Sequence, residues 1–291
     1  MPVLSRGQLR RKLGQSYLQA ATFGTTQIAV GAASTVCVMD PYRANPDYTN
    51  QNLYVRSHLR VASLDYRVGS YNTGSGAFVS AQLLQQAVAS GADFEIYDRW
   101  TASELDRCID QVIDEIRVNR EVTFPGTYNA NFYALAGVAS PNTITDFNDV
   151  YYYMAADSTT NRQRGSFTNV NLMNTATGVE MRTERLLVGS AVIAIDAVLA
   201  LSLGSADTAT INVPDEAWIL WGASARAWHL LAQRTPGQDD KYILERRAEA
   251  ARAFSAKSAI NQVYVSRRVS LQTPDDIRTS RYAGVGLNPF D

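Results

Sequence analysis

The chain has 291 residues, 46% hydrophobic and 19% charged, with 27 Lys plus Arg against 28 Asp plus Glu and a net charge of −1. That is core-forming material for one large domain or two ordinary ones, and too apolar a composition for a disordered chain. A protein that grips duplex DNA through its phosphates carries a basic excess, so the near-neutral balance disfavours tight nucleic-acid binding while leaving contact with passing DNA open.

The first predicted element is a helix from Ser5 to about Gln19. Ser5 and Gln8 have capping-box spacing, Leu9, Leu13 and Tyr17 form an apolar side, and Arg10, Arg11 and Lys12 form a charged side. From Phe23 to Tyr97 the texture becomes β-like. Thr26 to Met39 is rich in Val, Ile, Thr and Ala. Leu53 to Arg60, Val61 to Val68 and Phe78 to Leu84 read as short strands, with turns at Gly69-Ser70, Asn72 and Gly74-Ser75-Gly76. Asp93-Phe94-Glu95-Ile96-Tyr97 alternates polar and apolar residues, as an exposed final strand does.

A second capping box follows at Thr101 and Glu104. Leu105, Cys108, Ile109, Val112, Ile113 and Ile116 then make one apolar helix face, with Asp106, Asp110, Asp114 and Arg117 off it. Next comes a second β-rich block, marked by Val150 to Met154, Ser166 to Val170, Leu186 to Ile195 and Ala206 to Val213, joined by Asn-, Thr-, Ser- and Gly-rich loops. Pro214-Asp215-Glu216 suits a helix first turn, and Trp218, Trp221, Ala225, Trp228 and Leu231 or Ala232 form its apolar stripe. Thr235-Pro236-Gly237-Gln238 breaks that helix, and Asp239 or Asp240 caps a partner running through Tyr242, Ala250, Phe254 and Ala259. The short connection and the many alanines predict a closely packed antiparallel hairpin. Beyond Val263 periodicity is lost, and the chain ends in what reads as an extended arm.

The expected fold class is therefore α+β: a small helical bundle with β-rich, barrel- or sandwich-like insertions. Its expected segments are residues 1–22, 23–98, 99–120, 121–213, 214–262 and 263–291.

Candidate chemistry is sparse. Cys37 and Cys108 are too few for a disulfide framework or a cysteine zinc site and read as small buried hydrophobes. His58 and His229 are the only histidines, and no Gly-x-Ser-x-Gly elbow accompanies either. Gly74-Ser75-Gly76 lacks the Gly-Lys-Ser/Thr that would make it a phosphate loop. Asp106, Asp110 and Asp114 recur every four residues along one helix, unlike a calcium loop, and read as a solvated or inter-subunit face. Tyr151-Tyr152-Tyr153 are candidate interface anchors, with a sugar- or base-stacking platform as the other reading. Lys241 to Asp291 holds nine Lys or Arg against five acids, a mild excess of +4. The amino terminus has no apolar core of signal-peptide type, and Ala191 to Leu203 contains Asp196 and is shorter than the ~20 residues of a bilayer span. Neither a cofactor nor a metal site is expected, and synthesis is expected in the cytoplasm without export.

Three segments together resemble the neck, or head–tail adaptor, proteins of tailed double-stranded DNA phages. They are the opening helix Leu4-Ser5-Arg6-Gly7-Gln8-Leu9-Arg10-Arg11-Lys12-Leu13-Gly14, the strand-to-helix passage Asp93 to Asp110 with its Trp100-Thr101-Ala102-Ser103-Glu104-Leu105-Asp106 start, and the helix pair from Pro214 and from Lys241 to Ala259. They cover about half the chain and are matched chiefly by their order; the stretch from Phe124 to Val213 is longer and richer in Asn, Thr and Tyr than the family pattern.

The resemblance implies a structural virion protein with no enzymatic activity, made in the host cytoplasm and residing at the head–tail junction. Its subunits would close a twelvefold ring between the portal and the tail tube or nozzle, with DNA passing through the lumen unbound. In that picture the arm, with Arg267, Arg268, Arg278, Arg281, Tyr282, Leu287 and Phe290, contacts the portal. Tyr151, Tyr152, Tyr153, Asp106, Asp110 and Asp114 are candidates for ring or tail contacts. The alternatives are another neck, tail or fibre-attachment component, or a glycan-binding virion module or hydrolase.

Overall fold

The structure is a computed structural model that describes residues 3–40, 57–72, 77–127, 130–154, 164–167, 170–175, 178–183, 191–234 and 240–261. The fold is α+β and divides into two compact units. The first holds Met1–Asp114 and Leu203–Asn261; the described part of the second is Glu115–Ser202.

In chain order the first unit begins with strand β1 (Val3–Ser5) and helix α1 (Arg6–Lys12), which runs into a π-helical turn, Leu13–Tyr17. Strands β2 (Ala21–Thr26), β3 (Val36–Asp40), β4 (His58–Val61), β5 (Leu64–Asn72), β6 (Ala77–Ser80) and β7 (Asp93–Tyr97) follow, then helix α2 (Ala102–Glu115). The second unit holds β8 (Arg117–Gly126), β9 (Phe132–Ala134), β10 (Thr143–Met154), β11 (Arg164–Ser166), β12 (Val170–Thr175), β13 (Gly178–Thr183) and β14 (Ala191–Ala200). The chain returns to the first unit with β15 (Thr210–Asn212), helix α3 (Glu216–Arg234) and helix α4 (Asp240–Asn261).

Both capping boxes form. Ser5 Oγ accepts from the Gln8 amide at 3.2 Å while Gln8 Oε1 accepts from the Ser5 amide at 2.9 Å. Thr101 Oγ1 and Glu104 Oε2 do the same at 3.1 and 3.0 Å. The predicted first helix is shorter than its apolar spacing suggests: α1 ends at Lys12, and the π turn closes at Gln19, whose φ is +52°. A Cβ on Gly14 would lie 2.7 Å from both the Ala21 methyl and the Tyr97 ring, so only glycine lets this turn press onto the barrel.

The six strands β2-β3-β6-β5-β4-β7 close into an antiparallel barrel with no free edge. Its core contains Leu59, Val61, Tyr66, Phe78, Phe94 and Ile96. Two expectations are corrected here. The Asp93–Tyr97 strand is not an exposed final strand: it pairs with both β2 and β4, and Phe94, Glu95, Ile96 and Tyr97 are all buried. Gly69-Ser70 is not a turn but a bulge within β5; the chain reverses at Ala62-Ser63, both with positive φ. Gly74-Ser75-Gly76 lies outside the described residues.

The α2 stripe is buried as predicted, from Leu105 through Ile113. The helix hairpin also forms and is antiparallel, with the Trp228 ring 5.8 Å from Tyr242 at one end and Trp218 Nε1 donating to Ser258 Oγ at 2.9 Å at the other. Asp215 caps α3 through the Ala217 amide, so Pro214 precedes the cap instead of opening the helix. Burial on α3 is broader than the stripe, taking in Ile219, Leu220, Gly222 and Ala223, while Trp221 and Ala225 are only half-buried and Trp221 packs edge-on against Tyr17 at 4.8 Å. Trp100 is fully buried, donates to the Ala227 carbonyl at 3.0 Å and meets the Trp228 ring edge-on at 5.2 Å. Residues Ala206 to Val213 are not part of the second β block: β15 pairs with β1 in the first unit.

The second unit contains a four-stranded antiparallel sheet, β11-β10-β14-β8, and a three-stranded one, β12-β13-β9. β14 is buried along nearly its whole length, which accounts for the unbroken apolar run Ala191–Ile195. β10 carries two bulges, between Ile144 and Asp146 and between Phe147 and Asp149.

At Gly222 a Cβ would fall 2.8 Å from the Phe254 ring and 2.9 Å from Val112 Cγ2, where α2, α3 and α4 meet. Gly222→Ala is expected to destabilise the protein by about 1–3 kcal/mol through overpacking, whatever alanine gains in helix propensity. An unchanged urea midpoint would refute that packing.

Candidate functional site

The most concentrated chemistry lies in the first unit, around the buried guanidinium of Arg10. Its side chain is 1% exposed. Nε and Nη2 donate to the two carboxylate oxygens of Glu95 at 2.7 and 3.1 Å, and Nη1 donates to Asp106 at 2.9 and 3.0 Å and to Asp207 at 2.9 Å. Arg11 bonds Asp93 at 2.6 Å and shares Glu95 at 2.9 Å. Arg60 on β4 shares Asp207 at 3.2 Å. Tyr97 donates its hydroxyl to Glu95 at 2.8 Å. One turn before Arg10, Arg6 forks onto Asp110 at 3.1 and 2.5 Å.

Two spacings build this cluster. Arg6 and Arg10 are four apart on α1, Asp106 and Asp110 are four apart on α2, and the pairs meet in reverse order as Arg6–Asp110 and Arg10–Asp106. Beside them is an open cleft of about 530 Å³, lined by the first turns of α1, by Arg60 to Ser63, by Asp93 and Glu95, and by Asp207 and Thr208.

The electrostatics follow from burial competing with pairing. Burial alone would lower the Arg10 pKa, but Glu95, Asp207 and Asp106 overcome it and hold the guanidinium above its ordinary value. At Asp106 burial wins over the attraction of Arg10 and raises the carboxyl. At the more exposed Asp207, burial pushes up but the bonds from Arg10 and Arg60 prevail, so its pKa is lowered. Burial, reinforced by the neighbouring Glu95 charge, pushes the Tyr97 phenol well above its ordinary range, so it remains a neutral donor. Such a constellation pins surfaces together; its arginines keep their charge and its phenol its proton near neutrality.

The predicted site residues are distributed as follows. Asp106 and Asp110 face α1 within the chain, and Asp114 is exposed on the last turn of α2. Tyr151 is buried in β10 and donates to Glu121, Tyr152 is half-buried with its ring 5.1 Å from Phe167, and Tyr153 stands opposite Val192 and Arg164 in the sheet. Arg267, Arg268, Arg278, Arg281, Tyr282, Leu287 and Phe290 lie outside the described residues. His58 is half-buried on β4, where burial lowers its pKa against the pull of Glu104 and Asp65; His229 is exposed on α3, 3.1 Å from the Gln233 amide nitrogen. Cys108 is buried, and burial pushes its thiol up to about 11, away from reactivity. Cross-strand register also places Asp149, Asp196 and Glu121 directly opposite one another across β10, β14 and β8, with Asn148 donating to Asp196 at 3.3 Å.

Sequence reasoning missed Arg6, Arg10, Arg60, Glu95 and Asp207. Only the matched four-residue spacings of Arg6/Arg10 and Asp106/Asp110 could have signalled part of the cluster. Among the described residues, no group of three or more His, Cys, Asp or Glu is placed to hold a metal ion, and no helix is long and apolar enough to cross a membrane. Comparison with protein-family models and with curated proteins returns no match for this chain.

Glu95→Gln removes the main counter-charge of a buried arginine and is expected to cost about 3 kcal/mol or more in chemical denaturation; a loss below 1 kcal/mol by the same measurement, on the order of an exposed pair, would mean the pair is dispensable. The acid limb of stability has a definite sign. Asp207 and Glu104, the latter held down by Arg234 against burial, have folded pKa values below their ordinary 3.8 and 4.5. Their contribution is present above those values and lost as pH falls through the folded ones. The Asp207→Asn, Glu104→Gln double variant should therefore lose less stability than wild type between about pH 5 and pH 2, as read from urea midpoints. An equally steep decline would assign acid sensitivity to other carboxylates.

Proposed function

We propose that this chain is a head–tail adaptor of a tailed double-stranded DNA virus, a structural subunit that closes a ring between portal and tail. The observation that carries the reading is the grouping of the three stretches that resemble that family. α1, the β7-to-α2 passage and the α3–α4 hairpin all belong to one compact unit, with a closed barrel inserted between the first and second. Three further features support it. Both helix starts that carry the resemblance are fixed by reciprocal side-chain caps. The first unit directs many of its charges onto itself, which suits a wall past which DNA must slide without being held. A closed ring turns modest, repeated subunit contacts into a stable plug.

In this reading the partners are neighbouring copies, the portal above and the tail tube or nozzle below, with no cofactor involved. Purified portal from the same virion should capture the full chain and display rings of it in electron micrographs, and removal of residues 265–291 should abolish capture. Capture by the truncated chain would move the portal contact onto the helices. Failure of both forms to bind would overturn the reading in favour of a tail component or a glycan-binding module.

A further inference from the structure

One part of the first unit is kept free of charge. Leu13 to Met39 and Val68 to Ala92 contain no Asp, Glu, Lys, Arg or His, where the chain's overall 19% would place about ten charges. The barrel brings the two stretches together: β2 and most of β3 come from the first, the second half of β5 and all of β6 from the second. Their loops, residues 27–35 and 81–92, are laced to each other. Val30 and Val88 exchange backbone hydrogen bonds at 2.8 Å, the Ala33 amide donates to Leu84 O and the Leu84 amide to Ser34 O at 2.8 Å, and Ser90 Oγ donates to Gln27 O at 2.7 Å. Leu84 and Val88, four apart, are buried in the barrel core, while residues 81–83, 85–87 and 89–91 around them are exposed. The two loops therefore form a fixed tip, rich in Ala, Gln, Ser and Gly, from which Ile28 and Leu83 stand out at 56% and 60% exposure.

We propose that this tip is the surface by which one copy of the chain packs against another, with Ile28 and Leu83 as its anchors. Its chemistry narrows the partner. Nucleic acid calls for cations, and the tip has none. A sugar platform or a membrane interface calls for aromatic rings, and neither loop carries one. A partner selected by charge finds nothing complementary there. What remains is a neutral protein surface, and depletion of charge marks the buried centre of protein interfaces. The loops supply 21 residues, within the roughly 20–30 a side that a standard interface uses. The partner is a second copy, because copies meeting through a patch of one sign repel, whereas an uncharged patch meets its own kind without that cost. The loop-to-loop bonds fix the tip before contact, and Ala and Gly have no side-chain freedom to lose, so association orders little. This inference deepens the ring reading and rests on it for the identity of the partner.

The test uses the full chain, alone and with purified portal, as wild type, Ile28→Asp, Leu83→Asp and, for comparison, Leu244→Asp at an exposed position of α4. By sedimentation, wild type should associate to the same extent at about 0.05 and 0.5 M salt, since no charges are there to be screened. Ile28→Asp and Leu83→Asp should each weaken association by about tenfold or more, with urea midpoints unchanged because both side chains are exposed, and Leu244→Asp should associate as wild type does. A photoreactive benzophenone residue at position 83 should cross-link to a second copy. If either aspartate variant fails to fold, the salt series and the cross-link decide alone. Rings that survive both substitutions would overturn the inference and leave the ring reading standing. So would a steep fall of association with salt, an equal loss in Leu244→Asp, or a cross-link to the portal in place of a second copy. A wild-type chain that forms no oligomer, alone or on the portal, would overturn both.

Discussion

The first unit depends on one buried charge. A guanidinium removed from water loses several kcal/mol of hydration and regains it only when oxygens surround it on every side. Arg10 obtains those oxygens from three separate places: a barrel strand, the helix that follows the barrel, and the loop by which the chain returns from the second unit. Apolar contacts tolerate small slides of one element over another, whereas a fork between carboxylates does not. A shift of α1 by one turn would misalign both Arg6–Asp110 and Arg10–Asp106. The hydrophobic cores hold the unit together; this cluster sets its register.

What the sequence disclosed and what it hid divide by range. The caps at Ser5 and Thr101 and the apolar stripe of α2 are local patterns, and each forms where the residues place it. The Asp93–Tyr97 strand misleads for a physical reason: its alternation implies one wet face, yet Glu95 is buried because arginines more than eighty residues earlier neutralise it. The reversal at Ala62-Ser63 uses left-handed backbone without glycine or asparagine, so no turn signal marks it, and the real Gly69-Ser70 pair is spent on a bulge. The broad burial of α3 likewise reflects neighbours the chain cannot announce locally, among them Trp100 and the π turn that meets Trp221. The charged cluster was half visible as spacing and half invisible, since Asp207 carries no local sign of its partners.

The two units solve different problems. The barrel removes its sheet edges by closure, and α1 is tied to β7 by Arg10 and Arg11, with Leu9 and Leu13 fully buried beside them in the sequence. The second unit relies on β14, buried along most of its length between β10 and β8, and sets Asp149, Asp196 and Glu121 in a cross-strand row.

The distance in sequence between Arg10 and Asp207, 197 positions, has a consequence for synthesis. The amino terminus leaves the ribosome first but is completed almost last. Its arginine must wait for a carboxylate encoded after the whole of the inserted unit, and β1 must wait for β15. The described part of the second unit, Glu115–Ser202, is synthesised between the two parts of the first, so the first unit cannot be completed until it has been made. A nascent chain cut short before Asp207 lacks one of the three carboxylates around Arg10, with Glu95 and Asp106 already in place. Only a nearly full-length polypeptide can therefore complete both the Arg10 cluster and the β1–β15 pairing.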